Sequence, residues 1–511
     1  MKRRQFLSVS ALGGSAVLLS QCSRKTSHHQ SSNSQKLSST SSGAVTEKVY
    51  TSADGLLDLD LEASYQTIDL DGKLAKLATY NGQMPGPRLE AKPGDTVRIR
   101  FTNNLPEPTN IHYHGLNISH AGSGDNVFLD IQPGETFHYE FTIPEDHPAG
   151  TFWYHPHRHG HVADQVFAGL SGFFIIRSDL DNIPEIKAAS EIFLALKDFE
   201  LDSEGNIALP DRMAQMMGRE GQIVTADGQV NPALSISQNG LLRLRLLNAS
   251  ISRFYRLQLE QHPMHLIATD GGALSGPVEI EELLLTPGER AEVLIRGDRT
   301  SGSYRLLNLP YNRGGMGMMG DSGMGRMQMG GDHSMPGMNM PDSNQTDSAE
   351  SQQMTLATLT YSESPTAAVS LPAQLIPVEA LPPTQNTRRI ELGMRMSFMR
   401  GMAFTLNGKT YDENRMDIEV PLGTVEEWEI ANVDSDKMDH PFHLHAAPFQ
   451  VVSRNGQSEP YLAWKDTVLV KGGETVRIRV AFKDFANKSV YHCHILDHEE
   501  LGMMGVINVT A

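Results

Sequence analysis

The chain has 511 residues, enough for three domains at roughly 150 residues each. Apolar residues make up 39% of it before its 45 glycines are counted, a composition typical of a globular protein. The formal net charge of −18 repels phosphate backbones, so we expect no nucleic-acid partner. Every uncharged apolar run is shorter than the roughly 20 residues of a membrane-spanning helix, so no membrane span is predicted.

The first residues have the pattern of an export address. Lys2–Leu7 contains two consecutive arginines and resembles a twin-arginine signal, and an apolar stretch follows at residues 9–19. Leu19–Cys22 resembles a lipoprotein cleavage box, although glutamine before the cysteine is unusual. Residues 23–44 are rich in Ser, Thr, Asn and Gln, which suits a flexible linker. We therefore predict a signal at 1–22 and a periplasmic or cell-surface location, either with a lipid anchor at Cys22 or without one.

Beyond residue 45 the pattern is that of β-structure repeated three times. Apolar and polar residues alternate in Thr96–Phe101, Leu242–Leu246 and Thr475–Val480. Three segments each begin at a glycine turn and end in Asn, and each is followed by a second turn. The first landmarks are Gly94–Asn103, Gly240–Asn248 and Gly423–Asn432, and the second are Pro133–Glu135, Pro287–Glu289 and Gly472–Glu474. This repeat predicts an all-β fold of three consecutive Greek-key β-sandwich domains at 45–180, 186–363 and 386–511, with a linker at 364–385.

Four histidine clusters stand out along the chain. Two lie in the first predicted domain and two in the third: His112 with His114, His155 with His157, His440 with His443 and His445, and His492 and His494 on either side of Cys493. A His-x-His pair on an extended chain projects both rings to one face, so one strand can supply two ligands to one metal cluster. The second domain has no such pair at the corresponding place.

The single cysteine of the third domain selects among metals. Imidazole suits copper, zinc, iron and nickel, so the histidines alone do not choose. Cys493, however, is followed by His498 and Met503, and His440 is available from a distant segment. Two imidazoles, one thiolate and one thioether match a blue-copper electron-transfer centre, in which methionine is the weak axial ligand. A zinc site more often uses further cysteines and no thioether.

Together these clusters resemble the four signature segments of the multicopper oxidases, in particular the three-domain bacterial enzymes of the copper-efflux cuprous oxidase and laccase type. The resemblance covers the chain from about residue 60 to its end and implies cupredoxin-like domains with four copper ions. It implies a type 1 copper on His440, Cys493, His498 and Met503, a type 2 copper on His112 and His443, and a type 3 pair on His114, His155, His157, His445, His492 and His494. It also implies proton-transfer roles for Glu499 and Asp125.

A methionine-rich insertion at 314–341 bears on the substrate. Nine methionines lie between Met316 and Met340, separated mainly by small and polar residues that cannot form a packed core. Thioethers are soft ligands that select Cu(I). The segment is therefore either a low-complexity loop or a Cu(I)-binding one. In the enzymes that this chain resembles, such insertions lie over the type 1 copper.

Residues near His440 match part of a substrate-copper site. Asp436 and Met438 correspond to two positions of that site in cuprous oxidases, and Met394 is a candidate third ligand. Met399 stands where the resembled site has an aspartate, which leaves the fourth ligand open. Core packing is the alternative for Met394 and Met399. The site predicts an additional, labile substrate copper.

The whole pattern predicts an exported, monomeric multicopper oxidase. It would oxidise Cu(I) to Cu(II) one electron at a time, reduce O2 to two waters and support copper tolerance. The nearest alternative is a laccase-like phenol oxidase whose methionine segment is a copper reservoir, followed by oxidation of Fe(II) or Mn(II). A non-enzymatic copper chaperone and a copper-free scaffold of the same fold belong to another class, and the complete donor set argues against the scaffold.

Overall fold

Strands dominate the computed structural model, which describes residues 48–314, 353–362, 367–397, 401–434 and 437–511. Within these ranges the strands pair into six sheets, and each third of the chain contributes two. The helices in the described ranges are short, and none is long and apolar enough to cross a membrane. The predicted all-β class with three β-sandwich domains is confirmed.

The first β-sandwich has a five-stranded and a four-stranded sheet, in the orders β1-β4-β9-β8-β6 and β3-β2-β5-β7. Its elements are β1 Val49–Thr51, β2 Leu56–Leu70, β3 Lys73–Tyr80, β4 Gly86–Ala91, β5 Thr96–Asn103, β6 His112–His114, β7 Thr136–Thr142, β8 Gly150–His155, α1 Val162–Phe167 and β9 Gly172–Ile176. Along β5 buried and exposed residues alternate, because one face of the strand packs on the core and the other meets solvent. Leu59 and Ile99 of one sheet share this core with Tyr113 and Phe174 of the other.

The second β-sandwich follows two short helices and has a six-stranded and a five-stranded sheet, in the orders β11-β10-β13-β18-β15-β16 and β12-β20-β19-β14-β17. Its elements are α2 Asp179–Asn182, α3 Pro184–Ala188, β10 Ser190–Phe199, α4 Arg212–Met217, β11 Ile223–Ala226, β12 Ala233–Ser237, β13 Leu241–Asn248, β14 Tyr255–Leu259, β15 Met264–Thr269, β16 Gly272–Ile280, β17 Leu283–Leu285, β18 Arg290–Arg296, β19 Ser303–Leu309 and β20 Met354–Ser362. Strands β19 and β20 pair antiparallel. Residues 315–352 between them, with the nine methionines, lie outside the described residues.

The third β-sandwich has a seven-stranded sheet, β22-β21-β24-β30-β26-β27 with β28 also paired to β26, and a five-stranded sheet, β23-β32-β31-β25-β29. Its elements are β21 Thr387–Ser397, β22 Gly401–Leu406, β23 Ile418–Pro421, β24 Thr424–Asn432, β25 His440–Leu444, β26 Phe449–Arg454, β27 Gln457–Ser458, β28 Trp464–Lys465, β29 Thr467–Val470, β30 Thr475–Phe482, β31 Lys488–Cys493, α5 Leu496–Glu500 and β32 Met504–Thr510. Trp428 and Phe442 lie in its core together with Cys493.

Histidine-bearing strands occupy matching places in the first and third sandwiches. β6 pairs antiparallel with β8, and His112 lies opposite His155. β25 pairs antiparallel with β31, and His443 lies opposite His492. Strand register therefore brings together histidines that are distant in the sequence.

Candidate metal centre

Eight histidines form one buried group, which we call the histidine cluster. Its members are His112, His114, His155, His157, His443, His445, His492 and His494. Rings of the first and third sandwiches interleave: His112 stacks on His445, and His114 stacks on His443, each with ring centroids 3.9 Å apart. The histidine cluster therefore lies between these two sandwiches.

Ring nitrogens of three histidines in the cluster converge on one point. Nε2 of His492 lies 3.1 Å from Nε2 of His157 and 2.9 Å from Nε2 of His445. Nδ1 of His492 lies 2.9 Å from the carbonyl oxygen of Cys493, to which it can only donate. A neutral imidazole carries one N–H, so Nε2 of His492 offers a lone pair. Three ring nitrogens at one point, one of them with a free lone pair, fit a shared cation.

Further nitrogens of the cluster have no partner in the described part of the chain. They are Nε2 of His112, Nε2 of His443, Nδ1 of His445, and both ring nitrogens of His494. A buried polar atom without a hydrogen bond costs roughly 1–3 kcal/mol, so several in one place indicate a missing ligand. Donor atoms of the seven cluster histidines other than His494 lie close enough to one another to hold metal ions in overlapping sets of three. The cluster thus fits resident metal ions bound by imidazole.

Burial keeps these imidazoles neutral. It lowers the pKa of all eight below the usual histidine value, and for His443 to about 4. Neutral imidazole is the form that binds metal. The electrostatic environment therefore suits metal ligation.

A second group, which we call the cysteine site, consists of His440, Cys493 and His498. Sγ of Cys493 lies 3.6 Å from Nδ1 of His440 and 3.9 Å from Nδ1 of His498, and all three residues are buried. Met503 is buried in the same apolar core, and its carbonyl oxygen accepts the N–H of Cys493 at 3.0 Å. Burial raises the pKa of the Cys493 thiol, so a thiolate there needs a bound cation. A borderline-soft set of this kind fits copper.

The outer nitrogens of both imidazoles at the cysteine site are occupied. Nε2 of His440 lies 3.3 Å from Oδ2 of Asp434, and Nε2 of His498 donates to the carbonyl oxygen of Met216 at 3.1 Å. These contacts leave both Nδ1 atoms directed at the sulfur. Phe404 stacks on the ring of His498 with centroids 3.9 Å apart. The two imidazoles are therefore held in orientation before any metal binds.

One strand connects the two groups. β31 ends at Cys493, which belongs to the cysteine site, while His492 before it and His494 after it belong to the histidine cluster. The structure thus brings eleven of the twelve residues predicted as copper ligands into two adjoining buried groups, and the twelfth, Met503, is buried in the core that contains Cys493. Their division among individual copper ions is a proposal.

Both predicted proton-transfer acids lie at the histidine cluster. Oε2 of Glu499 is 3.3 Å from Nδ1 of His492, and Oε1 is 3.9 Å from Nδ1 of His157. Asp125 has its two oxygens 2.8 and 2.9 Å from Nδ1 of His112. Burial raises the pKa of Glu499 well above the usual range and that of Asp125 to about 8. Burial therefore favours the protonated form of both acids.

Three further residues touch the site without having been expected. Asp466 lies 3.0 Å from Nε2 of His114, Arg290 of the second sandwich pairs with Asp466, and Asp434 contacts His440. No spacing in the sequence relates Asp466 or Arg290 to a histidine, because their contacts arise only when the sandwiches pack together. One indication of Asp434 was present in the sequence: it lies two residues before Asp436, which was predicted as a site residue.

The predicted substrate-copper residues are only partly described. Met438 is buried two residues before His440, and Met394 is half-buried against the core that contains Cys493. Asp436 and Met399 lie outside the described residues. The relative placement of these four side chains stays a prediction.

Comparison with known proteins decides the family. Multicopper oxidase models match residues 62–181, 199–320 and 382–511, one in each sandwich. The chain belongs to the multicopper oxidase family. As a multicopper oxidase it depends on copper cofactors and passes electrons from a reducing substrate to O2. The predicted family and enzyme class are thereby confirmed.

This multicopper oxidase resembles characterised and solved bacterial relatives along most of its length. It is 30% identical over 446 residues to the multicopper oxidase mco of Staphylococcus aureus, and this alignment covers 86% of this chain and 85% of the relative. It superposes on a multicopper oxidase from Campylobacter jejuni, a metallo-oxidase, with a TM-score of 0.76 and 31% identity, covering 91% and 94% of the two chains. A laccase-like multi-copper oxidase, CueO, from Ochrobactrum sp. gives a TM-score of 0.74 at 26% identity, covering 91% and 99%.

Proposed function

We propose that this multicopper oxidase uses Cu(I) as its electron donor, oxidises it to Cu(II) and thereby supports copper tolerance. Four Cu(I) ions, one O2 and four protons would give four Cu(II) ions and two waters. The proposal treats the donated Cu(I) as substrate, separate from four resident copper ions. It agrees in kind with the metallo-oxidase from Campylobacter jejuni.

The two groups of ligands divide into copper types by their donors. His440, Cys493, His498 and Met503 would hold the type 1 copper, since they alone combine thiolate and thioether. The type 2 copper would lie on His112 and His443, and the type 3 pair on His114, His155, His157, His445, His492 and His494. Bound copper supplies one-electron uptake at the first site and four-electron reduction of O2 at the second.

Residues of the protein orient the copper ligands and hold protons for that chemistry. Asp125 holds Nδ1 of His112 and leaves its Nε2 directed into the cluster. Glu499 keeps a proton in the dry interior beside His492. Cys493 is bonded directly to His492 and His494, so a single peptide bond on each side separates the cysteine site from the histidine cluster. These residues hold the two sites at a fixed, short separation.

The start of the methionine-rich insertion lies against the cysteine site, and this observation carries the choice of substrate. The carbonyl oxygen of Arg313 accepts the backbone N–H of Asp439, the neighbour of His440, at 2.7 Å. Gly314 lies so close to Lys437 that a Cβ on it would come within 2.2 Å of the Lys437 carbonyl oxygen. The described chain therefore reaches Gly314, two residues before Met316 in the sequence, beside the segment that leads to His440. The thioethers of the nine methionines favour Cu(I) over a phenol.

Other methionines near the cysteine site support the same substrate. Met438 is buried just before His440. Helix α4 carries Met213, Met216 and Met217, and its Met216 carbonyl is the hydrogen-bond acceptor of His498. No pattern in the sequence had singled out this helix. Helix α4 therefore carries methionines, whose sulfur atoms are soft donors, in the segment that contacts Nε2 of His498, a proposed type 1 ligand.

The proposal is tested by oxygen uptake with the fully copper-loaded enzyme. Cu(I) supplied anaerobically is compared with a methoxyphenol, the phenol being run with and without added Cu(II). A variant in which the nine methionines of the insertion are replaced by leucine is run beside one that lacks residues 316–340. Leucine keeps the length and apolar character of the segment and removes only the sulfur.

Fast Cu(I) oxidation is expected, with phenol oxidation slow unless Cu(II) is present. Both variants should need more Cu(I) to reach half their maximal rate, because recruitment is weakened while the resident coppers are unchanged. Rapid phenol turnover without added copper, together with a Cu(I) oxidation rate that is unchanged in both variants, would establish the laccase-like alternative instead.

Export is a second part of the proposal. The twin arginines near the N-terminus and Cys22 support secretion to the periplasm or cell surface, where copper stress acts. Mass spectrometry of the mature N-terminus distinguishes a lipid-modified Cys22 from an unmodified terminus beyond it.

A further inference from the structure

Arg290 of the second sandwich makes a full set of hydrogen bonds across three domains. Its guanidinium donates to the carbonyl oxygens of Thr151, Gly288 and Asp270 at 2.9–3.0 Å. The two remaining N–H groups donate to the two carboxylate oxygens of Asp466, at 2.8 and 2.5 Å. All five donors of a buried arginine are thus used, and the Asp466 pair is the bidentate kind.

Asp466, which Arg290 holds in place, contacts two members of the histidine cluster. Its Oδ1 lies 3.0 Å from Nε2 of His114, and its backbone carbonyl oxygen lies 2.8 Å from Nδ1 of His443. Thr467 donates its hydroxyl to the same Oδ1 at 2.9 Å. One residue therefore contacts a histidine of the first sandwich and a histidine of the third. These two histidines form one of the two stacked pairs of the cluster.

The chain of the first sandwich is shaped to fit the Arg290–Asp466 pair. Gly115 follows His114 and has φ of +87°. A Cβ at this position would lie 2.3 Å from Nη2 of Arg290 and 2.6 Å from Oδ2 of Asp466. Only glycine leaves room for the ion pair here, so the pair lies directly against the backbone that carries a cluster ligand.

We propose that Arg290 is a positioning residue for the copper cluster. It holds Asp466 by two parallel hydrogen bonds, and Asp466 in turn fixes the rings of His114 and His443. The second sandwich, which has no histidine pair of its own, would in this way set the geometry of the metal centre. The inference rests on the proposed copper assignment of the histidine cluster and is independent of which substrate supplies the electrons.

Residues that orient metal ligands have a measurable signature. Loss of such a partner typically weakens metal binding roughly 10- to 100-fold. The nearest ligands are His443, assigned to the type 2 copper, and His114, assigned to the type 3 pair. Disturbance should therefore appear at the type 2 and type 3 coppers and leave the type 1 copper intact, because the cysteine site has other supporting contacts.

The test compares Arg290→Lys, Arg290→Met and Asp466→Asn in the copper-loaded, full-length protein. Lysine keeps the charge but loses the bidentate fork. Arg245→Met is the matched control: Arg245 is equally buried, lies on neighbouring strand β13, and pairs with Glu292 while donating to Thr151 Oγ1 of the first sandwich. Measurements are copper per chain, the type 2 electron paramagnetic resonance spectrum, copper released to a chelator, and the blue absorbance of the type 1 copper.

All three site variants should release type 2 copper to the chelator roughly 10- to 100-fold more readily and shift its resonance spectrum, with the blue absorbance retained. Arg290→Lys and Asp466→Asn combined should be no worse than either alone, because both break one path. Arg245→Met should lower thermal stability without moving the type 2 spectrum. Should Arg290→Met fail to fold, Arg290→Lys decides the matter.

The inference is overturned if Arg290→Lys keeps all its copper and an unchanged type 2 spectrum, or if Arg245→Met shifts that spectrum equally. A wild-type protein without blue absorbance or type 2 signal would instead contradict the copper assignment. A wild-type protein with both signals and no Cu(I) oxidation would contradict only the proposed substrate.

Discussion

At the scale of single residues, Glu499 occupies an unusual position. Its carboxyl group is buried, and neither oxygen has a hydrogen-bond partner in the described part of the chain, although Nδ1 of His492 is 3.3 Å from Oε2. Burial raises its pKa well above the usual range, which favours the protonated form of the carboxyl group. It also follows His498 directly and so lies next to both metal-binding groups. Such a group can deliver a proton where O2 is reduced.

Replacement of Glu499 by Gln should slow oxygen reduction without disturbing the type 1 copper. Glutamine keeps the shape of the side chain and has no proton to deliver, and a positioned general acid typically contributes roughly 10²- to 10⁴-fold. Oxygen uptake at saturating reductant measures the loss, while blue absorbance verifies the cysteine site. Undiminished turnover would contradict a relay through Glu499.

Glu500 offers the matched control for that experiment. It is adjacent and mostly buried, but its carboxylate accepts the backbone N–H groups of Gly160 and Val162 at 2.7 Å. It therefore orders the start of α1 instead of facing the cluster nitrogens. Glu500→Gln should lower stability and leave oxygen reduction near the wild-type rate. Equal slowing in both variants would indicate a general disturbance of α5.

Candidate ligands could be predicted from the sequence because their signal is local. A His-x-His pair on a strand projects both rings to one face whatever the rest of the fold does. Asp466 and Arg290 carry no such signal, since the carboxylate and the guanidinium meet only after the second and third sandwiches pack together. Asp434 is an intermediate case. The sequence indicated Asp436 of the same segment, whereas in the structure Asp434, two residues earlier, contacts His440.

At the scale of elements, the alternation of apolar and polar residues predicted where strands lie better than it predicted which side chains are exposed. β5 and β30 bury their apolar face and expose much of the other. β13 has the same alternating sequence and is buried throughout, because Arg243 and Arg245 pair there with Glu292. The short helices escaped prediction because one or two turns are too short to show a helical period. α4 begins after Asp211, whose side chain accepts the N–H of Ala214 at 2.7 Å.

A buried ion pair fixes the short helices near the cysteine site. Arg219, just after α4, contacts Asp497 of α5 at 2.8 Å and Asp164 of α1 at 2.7 Å. Its backbone N–H also donates to Asp497 at 2.8 Å. Arg219 and Asp497 are almost fully buried. Because His498 follows Asp497, this pair ties the position of His498, a proposed type 1 ligand, to three helices.

Arg219→Ala should destabilise the protein by roughly 3–5 kcal/mol, since it leaves the Asp497 carboxylate buried without its charge partner. Denaturant unfolding followed by circular dichroism measures the loss. Arg98→Ala is the control: Arg98 pairs with Glu140 at 3.0 Å, but both side chains are about half exposed, and such surface pairs contribute about 0–1 kcal/mol. Similar losses in the two variants would refute the role assigned to the buried pair.

At the scale of the whole molecule, the three sandwiches divide the work unequally. The first and third supply the predicted copper ligands, and the second supplies Arg290 and the chain that leads into the methionine-rich insertion. The threefold repeat was visible in the sequence because turns and strand ends recur at similar spacing. How the copies pack was not visible, because packing depends on faces that the repeat itself does not distinguish. The division of labour therefore had to come from the structure.

So many buried histidines also make the metal-free molecule sensitive to acid. Burial lowers the pKa of His120, His147 and His443 to about 4, whereas a histidine in the unfolded chain titrates near about 6.5. Between these values the unfolded chain binds protons that the folded protein does not. The stability that these groups contribute is present above about pH 6.5 and is lost as the pH falls toward about 4.

Buried carboxyls act in the opposite direction over part of this window. Burial raises the pKa of Asp125 to about 8 and that of Glu500 to about 7, so the folded protein holds protons that the unfolded chain has released. These groups favour folding at low pH, and their contribution is lost as the pH rises through their raised pKa values. Among the described residues, histidines with a lowered pKa outnumber acids with a raised one. Acid destabilisation should therefore prevail.

We expect the unfolding midpoint of the metal-free protein to fall continuously as the pH is lowered from about 6.5 to about 4, because unfolding there takes up protons on histidine. Copper-loaded protein should resist acid to a lower pH, since protons must then displace bound metal from the same nitrogens. Thermal unfolding of both forms across this range, with copper release recorded in parallel, measures the difference. A midpoint of the metal-free protein that stayed flat would mean that the buried carboxyls balance the histidines. Equal acid sensitivity of the two forms would mean that metal ligation does not protect the cluster.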